Sequence, residues 1–346
     1  LGRNESRAGT ILPRRDFCKL HITAHYVAAL TAAGRGGFAV LPIGKVGGDP
    51  TAAAMLEHMR RAGMDTRFVA SQPGCSTLFS VCFTYPDGDG GNITTEDSAS
   101  ARLTPADVER AVQALPKALG GNVGGGVAPT GGIAPAGGIA LAAPEVPLEA
   151  RLRLLELARE HGWLTAAAFN TAEVPEAGRL GMFRHVDILS VNREEAAALA
   201  RRGRREQVEA IACAAGGALE KVNPGIRLCV TAGAAGSFGW ADGAMEYTPA
   251  APVEAVNTAG AGDATLSALI VATAAGLPFI RPQRPRRRQL AEAPLETALD
   301  LAALLAALAV TSPDTINFDA DARTLSELAG RIGADITALQ PALKWT

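Results

Sequence analysis

From 256 to 266 the chain reads V-N-T-A-G-A-G-D-A-T-L, which sets Gly260, Ala261 and Gly262 directly before Asp263 and a long apolar stretch. Glycines let backbone N–H groups converge on a negative charge without side-chain interference, and a helix over roughly 263–275 adds the positive end of its dipole. The chemistry on offer is an anion site with a base beside it, and a phosphoryl group in transfer suits both. An N-cap role for Asp263 accounts for the same residues without any ligand. A second pair, Asn192 and Glu195 in V-N-R-E-E, follows a short apolar strand. If Asn192 leaves the strand and Glu195 lies in the first helical turn, both face the crevice at the carboxyl edge of the sheet, where open α/β folds bind ligands. Magnesium accepts few carboxylates and retains waters, so this pair is adequate to hold it through water. An Asn cap with an acidic first turn is the alternative. A third element, C-V-T-A-G-A-A-G, runs a strand into a small-residue turn where Thr231, Gly233 and Gly236 would let a nucleotide approach the backbone. Alone it is only a turn. The stretch G-K-V-G-G-D at 44–49 tempts a phosphate-loop or dinucleotide reading and fails both, because neither G-x-x-x-x-G-K nor G-x-G-x-x-G is completed.

These residues need elements to hold them. Helical character at 21–33, a buried strand at 37–43 and a helix at 52–62 form one unit. Residues 76–85, rich in Thr, Phe and Val, are followed by P-D-G-D-G-G and a return at 92–95, which predicts a β-hairpin standing off the main sheet. Thr104-Pro105 opens another helix. Beyond it come strands at 138–142, 164–169, 186–191 and 227–231, with helices at 148–160, from Glu194 and after Asp263. That alternation predicts an α/β fold with a central, mainly parallel sheet covered by helices on both faces. We expect one α/β domain over 1–346, with a hairpin element at 70–100, a Gly/Ala/Pro-rich flexible loop at 118–138 and a basic loop at 281–290.

Composition narrows the function. With 346 residues, 48% hydrophobic content and a formal charge of −2, the chain can bury a large core and needs no polyanionic partner. The segment R-P-Q-R-P-R-R-R at 281–288 is short and lacks aromatic partners, so it reads as a solvated loop rather than a nucleic-acid patch. Cys18, Cys75, Cys82, Cys213 and Cys229 are odd in number and scattered, which predicts reduced thiols in a cytoplasmic setting and no zinc site. No apolar run reaches the ~18 residues of a membrane span, and no signal peptide is read at the start.

Taken in order, the elements resemble the ribokinase-like, or PfkB, family of carbohydrate and nucleoside kinases. The resemblance spans most of 37–318. It is carried by G-K-V-G-G-D with a helix ending R-A-G-M-D-T, by T-L-F-S-V-C-F-T-Y-P-D-G, V-N-R-E-E and V-T-A-G-A-A-G, and by N-T-A-G-A-G-D-A. It implies a ribokinase-like fold with a small β lid, ATP and Mg2+, and a sugar or nucleoside as the other substrate. Asp263 would be the general base, and the amides of Gly260, Ala261 and Gly262 would stabilise the γ-phosphoryl group in transfer. Asn192 and Glu195 would organise magnesium and its waters, while Thr231, Gly233 and Gly236 line the nucleotide side. A lid with exposed sheet edges is also a place where a second copy could pair.

Two departures matter. Family members usually carry a strand and then a Gly-Gly segment ending in Asn that grips the substrate, whereas here the corresponding region reads C-K-L-H-I-T-A-H at 18–25. The chain begins at Leu1 rather than Met, so we expect either that the start of the pattern is lost or rearranged or that the substrate is held differently. The residue opening the glycine motif is commonly an Asp that helps hold a monovalent cation; here it is Asn257, which argues against potassium activation. Two other readings stand beside the kinase. One is an impaired relative that binds nucleotide or sugar as a sensor or scaffold. The other, a dinucleotide-binding oxidoreductase, rests only on glycine-rich turns after strands.

Overall fold

The structure is a computed structural model that describes residues 17–33, 38–84, 90–118, 138–203 and 205–343. The elements follow as α1 (Lys19–Leu30), β1 (Gly44–Val46), α2 (Pro50–Arg61), β2 (Val69–Ser71), β3 (Ser80–Thr84), β4 (Gly90–Thr94) and α3 (Pro105–Ala118). Next come β5 (Ile139–Ala142), α4 (Leu148–Glu160), β6 (Leu164–Ala167), α5 (Val174–Arg179), β7 (Ile188–Asn192), α6 (Arg193–Ala200) and α7 (Val208–Glu220). The chain continues through β8 (Arg227–Thr231), β9 (Ser237–Ala241), β10 (Ala244–Thr248), α8 (Ala261–Ala274), α9 (Ala298–Val310) and α10 (Ala322–Ile332).

Six strands form the central sheet in the order β10-β9-β8-β7-β6-β5. Strands β5 to β8 run parallel, and β9 and β10 are added antiparallel. Side chains alternate across a strand, and the apolar runs of β6, β7 and β8 use both faces. Ala166, Ile188 and Cys229 enter one core with residues of α1, α8, α9 and α10. Their neighbours Ala167, Leu189, Leu228 and Val230 enter a second core with residues of α4, α6 and α7. Helices therefore cover both sides of a ribokinase-like α/β sheet. Helix α8 is buried almost without interruption from Ala264 to Ala272, as expected for a helix apolar all round, and it packs against α1 and α9.

The sequence expectations fail at two places. No strand forms over 38–43; β1 begins only at Gly44 and pairs with β2 outside the main sheet. Pro42 has no N–H for a ladder. Phe38 to Ile43 instead line an apolar cavity of about 270 Å³ whose other wall includes β5, the edge of the sheet. The second is the basic loop. Arg286 is solvated, but Arg284 and Arg287 have side chains only 8% and 4% exposed and converge on Asp300 and Glu246. The loop folds inward because Asp300, which completes the Thr297 capping box of α9, is fully buried and needs positive charge beside it. The antiparallel pair β3–β4 lies where a hairpin was expected, in the register Val81 opposite Ile93. Most of the Gly/Ala/Pro-rich stretch, 119–137, lies outside the described residues. Cys18, Cys75, Cys213 and Cys229 are free, and among the described residues no helix is long and apolar enough to cross a membrane.

Candidate functional site

Strands β7 and β8 end side by side, with Asn192 in register with Thr231, so both residues stand at the carboxyl edge of the parallel sheet. Asn192 is the N-cap of α6. Its Oδ1 accepts the Glu195 N–H at 2.9 Å, and the Glu195 carboxylate accepts the Asn192 N–H at 2.8 Å. This is a complete capping box. The cap reading is thus realised, and the pair also lines a cavity of about 660 Å³. Burial pushes the Glu195 carboxyl up to about 7; the Lys19 charge pulls the other way, and the negative charge of Asp263 adds to the rise.

Gly260, the N-cap of α8, sits at φ 82°, and a Cβ there would lie 2.3 Å from the Thr315 carbonyl oxygen. Only glycine can both turn left-handed and approach that closely. Residues 261–263 form the first turn of α8, where N–H groups have no intrahelical acceptor. The Ala261 amide turns back to Thr258 O over a long 3.3 Å. Gly262 has open space where a side chain would be, so its backbone stands clear for a ligand. Asp263, half-buried in the same turn, lines the cavity with Gly260, Ala261 and Gly262.

The third motif closes the same space. After β8 a short turn over Gly233–Ala235 leads directly into β9. Gly236 at φ 87° has the Thr248 carbonyl 2.3 Å from where a Cβ would stand. Thr231, Gly233 and Gly236 line the 660 Å³ cavity, so all nine residues nominated from sequence meet at one place. One wall is apolar and made of small residues of α9, among them Ala303, Ala306, Ala307 and Val310. Lys45 lies elsewhere, bound to Asp107 at 2.8 Å and to the Arg102 carbonyl at 2.8 Å.

Sequence reasoning missed Lys19. It opens α1, lines the cavity, and its N–H donates to the Glu145 carboxylate at 3.0 Å. A cation in the first turn opposes the helix dipole, and that mismatch was the available signal. Next to it, burial pushes the Cys18 thiol up to about 12, with Glu145 and Asp263 adding to the rise. The two histidines of the unmatched stretch belong to the core. His21 and His25 are buried, their rings packed among Phe17, Tyr26 and Phe318. Burial and neighbouring imidazoles push them down to about 3 and about 4, so they are neutral at physiological pH.

Among the described residues no group of three or more His, Cys, Asp or Glu side chains could hold a metal ion. An all-protein cage is therefore not what Asn192 and Glu195 provide. Their chemistry fits magnesium held through water and substrate phosphates, since a half-buried carboxyl near Asp263 gains from a cation.

The sequence profile of the family described as pfkB family carbohydrate kinase matches residues 28–323. Among solved structures, a ribokinase from Cryptococcus neoformans var. grubii serotype A in complex with ADP superposes with a TM-score of 0.68 at 18% identity, covering 94% of this chain and 93% of the other. A putative ribokinase II from E. coli in complex with ATP and Mg2+ gives 0.67 at 17%, covering 96% and 94%. The adenosine kinase from Sinorhizobium meliloti gives 0.64 at 22%, covering 90% and 82%. At these identities the superpositions show the fold. No curated protein sequence is matched closely enough to count as a relative.

Proposed function

Since the chain belongs to the pfkB family of carbohydrate kinases, we propose that it transfers the γ-phosphoryl group of ATP to a hydroxyl of a sugar, nucleoside or related small polyol. The observation that carries this reading is the convergence of the α8 N-terminus, Asp263 and the Asn192/Glu195 box on one cavity. Asp263 takes the proton of the acceptor hydroxyl as its oxygen forms a bond to phosphorus and the bond to the bridging oxygen of the nucleotide breaks. The first-turn backbone of α8, at Gly260, Ala261 and Gly262, stabilises the charge on the equatorial oxygens. Positioning and charge neutralisation are the main demands of phosphoryl transfer. Magnesium would be held by Asn192 and Glu195 through water, and when bound it neutralises charge on the phosphates. Thr231, Gly233 and Gly236 line the nucleotide side, where the small apolar residues of α9 suit a flat base. Lys19 adds a positive charge at the phosphate end. The ADP and ATP–Mg2+ complexes of the two ribokinases agree with such a ligand.

The test is an ATP-consumption screen over sugars and nucleosides with the wild type and Asp263→Asn. Loss of a positioned base lowers turnover about 10²–10⁴-fold, while calorimetric ADP binding persists. Undiminished turnover in the variant would sink the mechanism. A second reading, a relative that binds without transferring phosphate, is favoured by one observation: the place of the substrate-gripping segment is taken by α1, with His21 and His25 buried in its core. Tight nucleotide binding with no turnover across the whole panel would select it.

We assign the β3–β4 hairpin to a lid over the acceptor and to the contact between two copies of the chain. Phe79, Val81 and Ile93 are 60%, 52% and 66% exposed there, an apolar face that none of the described residues covers. Sedimentation of the wild type as a dimer, and of a Val81→Ser/Ile93→Ser variant as a monomer, is the expected outcome; a monomeric wild type refutes it.

A further inference from the structure

Two segments build the floor of the anion site, the loop that enters α8 and the loop that leaves α9, and Asn257 joins them. Its Nδ2 donates to the Pro313 carbonyl at 2.9 Å, and its Oδ1 accepts the Ala259 N–H at 3.1 Å. The partners fix the orientation of the amide, because one is an acceptor and the other a donor. Alongside, the N–H groups of Val256 and Asn257 donate to the Val310 carbonyl at 2.8 and 3.1 Å. Three residues after Asn257, Gly260 is pressed against Thr315. Any shift between the two loops therefore moves the first turn of α8.

The residues present do not fit the monovalent cation that an Asp opening this motif helps to hold in the resembled family, in line with the expectation from Asn257. A cation at this junction would need carboxylate and carbonyl oxygens turned toward it. Here the Val310 oxygen already accepts two N–H groups, the Pro313 oxygen accepts the Asn257 amide, and no carboxylate stands at 257. An Asp at 257 is acceptor-only when ionised. Its second oxygen would face the Pro313 carbonyl, acceptor against acceptor, and only a cation between them would relieve the contact.

We propose that the side-chain amide of Asn257 is a positioning group that takes the place of a bound monovalent cation, so that the anion site of this chain is held by its own hydrogen bonds and is independent of potassium. The inference rests on the phosphotransferase reading for its catalytic meaning, but the bridge itself can be tested without turnover. Melting temperature and ADP affinity are measured for the wild type and Asn257→Asp in potassium chloride and in tetramethylammonium chloride of equal ionic strength. The wild type is expected to give the same values in both salts. In tetramethylammonium, Asn257→Asp is expected to melt lower and to bind ADP about tenfold more weakly, the scale of one lost hydrogen bond plus an unmatched acceptor. Potassium should restore most of both. A several-fold gain in wild-type ADP affinity with potassium overturns the proposal, as does an Asn257→Asp protein with the same indifference to potassium as the wild type. Absence of ADP binding by the wild type in either salt counts against the phosphotransferase reading, and the melting temperatures then decide the bridge alone.

Discussion

Glu195 offers a prediction in which pH is the perturbation. Its carboxyl is pushed up from 4.5 to about 7 by burial, with Asp263 adding to the rise. A group whose pKa is raised on folding stabilises the native state below its unfolded pKa, and that contribution is lost as pH rises through the folded value. The span from 4.5 to about 7, at about 1.4 kcal/mol per unit, sets a ceiling of about 3.5 kcal/mol, and the access of water to a half-buried side chain brings the expectation to about 2 kcal/mol. Glu195→Gln is the right comparison, because Gln at this position still accepts from the N-cap backbone and keeps the capping box. Urea unfolding of ligand-free protein is followed between about pH 5 and about pH 8.5, and the wild type should lose about 2 kcal/mol relative to the variant as pH rises. Titrating groups that do not interact with Glu195 are common to both proteins and cancel in the difference, so what remains is Glu195 together with the neighbours coupled to it. Identical pH dependences would refute the claim that this carboxyl is held up by its surroundings.

Two further outcomes follow from charges the structure places in contrasting settings. In the basic loop, Asp300→Asn removes the fully buried acid between Arg284 and Arg287 and leaves them with Glu246 and, for Arg284, the more exposed Glu296, and should cost about 3–5 kcal/mol; Arg286→Ala, which breaks an exposed pair with Glu209, should cost under about 1 kcal/mol. Equal costs in denaturant unfolding would contradict the inward folding of the loop. Lys19→Gln removes the cation at the phosphate end of the cavity and should weaken ADP binding by about tenfold, the scale of a charged hydrogen bond; calorimetry showing unchanged affinity would remove Lys19 from the site.

The parts of this fold that were legible are those where local chemistry and tertiary demand agree. The apolar runs ending at Asn192 and Thr231 form central parallel strands because both faces of the sheet are covered. The run G-A-G-D-A-T-L starts a helix because Gly260 alone can make the turn against Thr315. Residues 38–43 are apolar enough for a strand, yet strand formation needs a partner edge as well as a side-chain pattern, and here they border a cavity beside β5. The β9–β10 hairpin was missed although its signal was present: Asp242-Gly243, both at positive φ, is a strong two-residue turn. Arg284 and Arg287 were misread because their partners Glu246 and Asp300 lie far along the chain or beyond a proline-broken stretch. Lys19 reaches the cavity through the packing of α1 on α8, and composition does not report packing.

The switch from parallel to antiparallel pairing at β8 has a consequence for how this enzyme family member can vary. A parallel neighbour would require a crossover helix, whose start would occupy the sheet edge above Thr231. The turn over Gly233–Ala235 occupies almost none of it, and the vacant edge is roofed by α8, delivered from later in the chain. That turn is also wedged at Gly236 against the Thr248 carbonyl. Gly233 and Ala234 are exposed at the rim of the cavity, so residues added to this turn stand at its mouth and the turn's length bears on ligand access, while the strand pair β3–β4, held apart from the central sheet, can change in sequence without disturbing it.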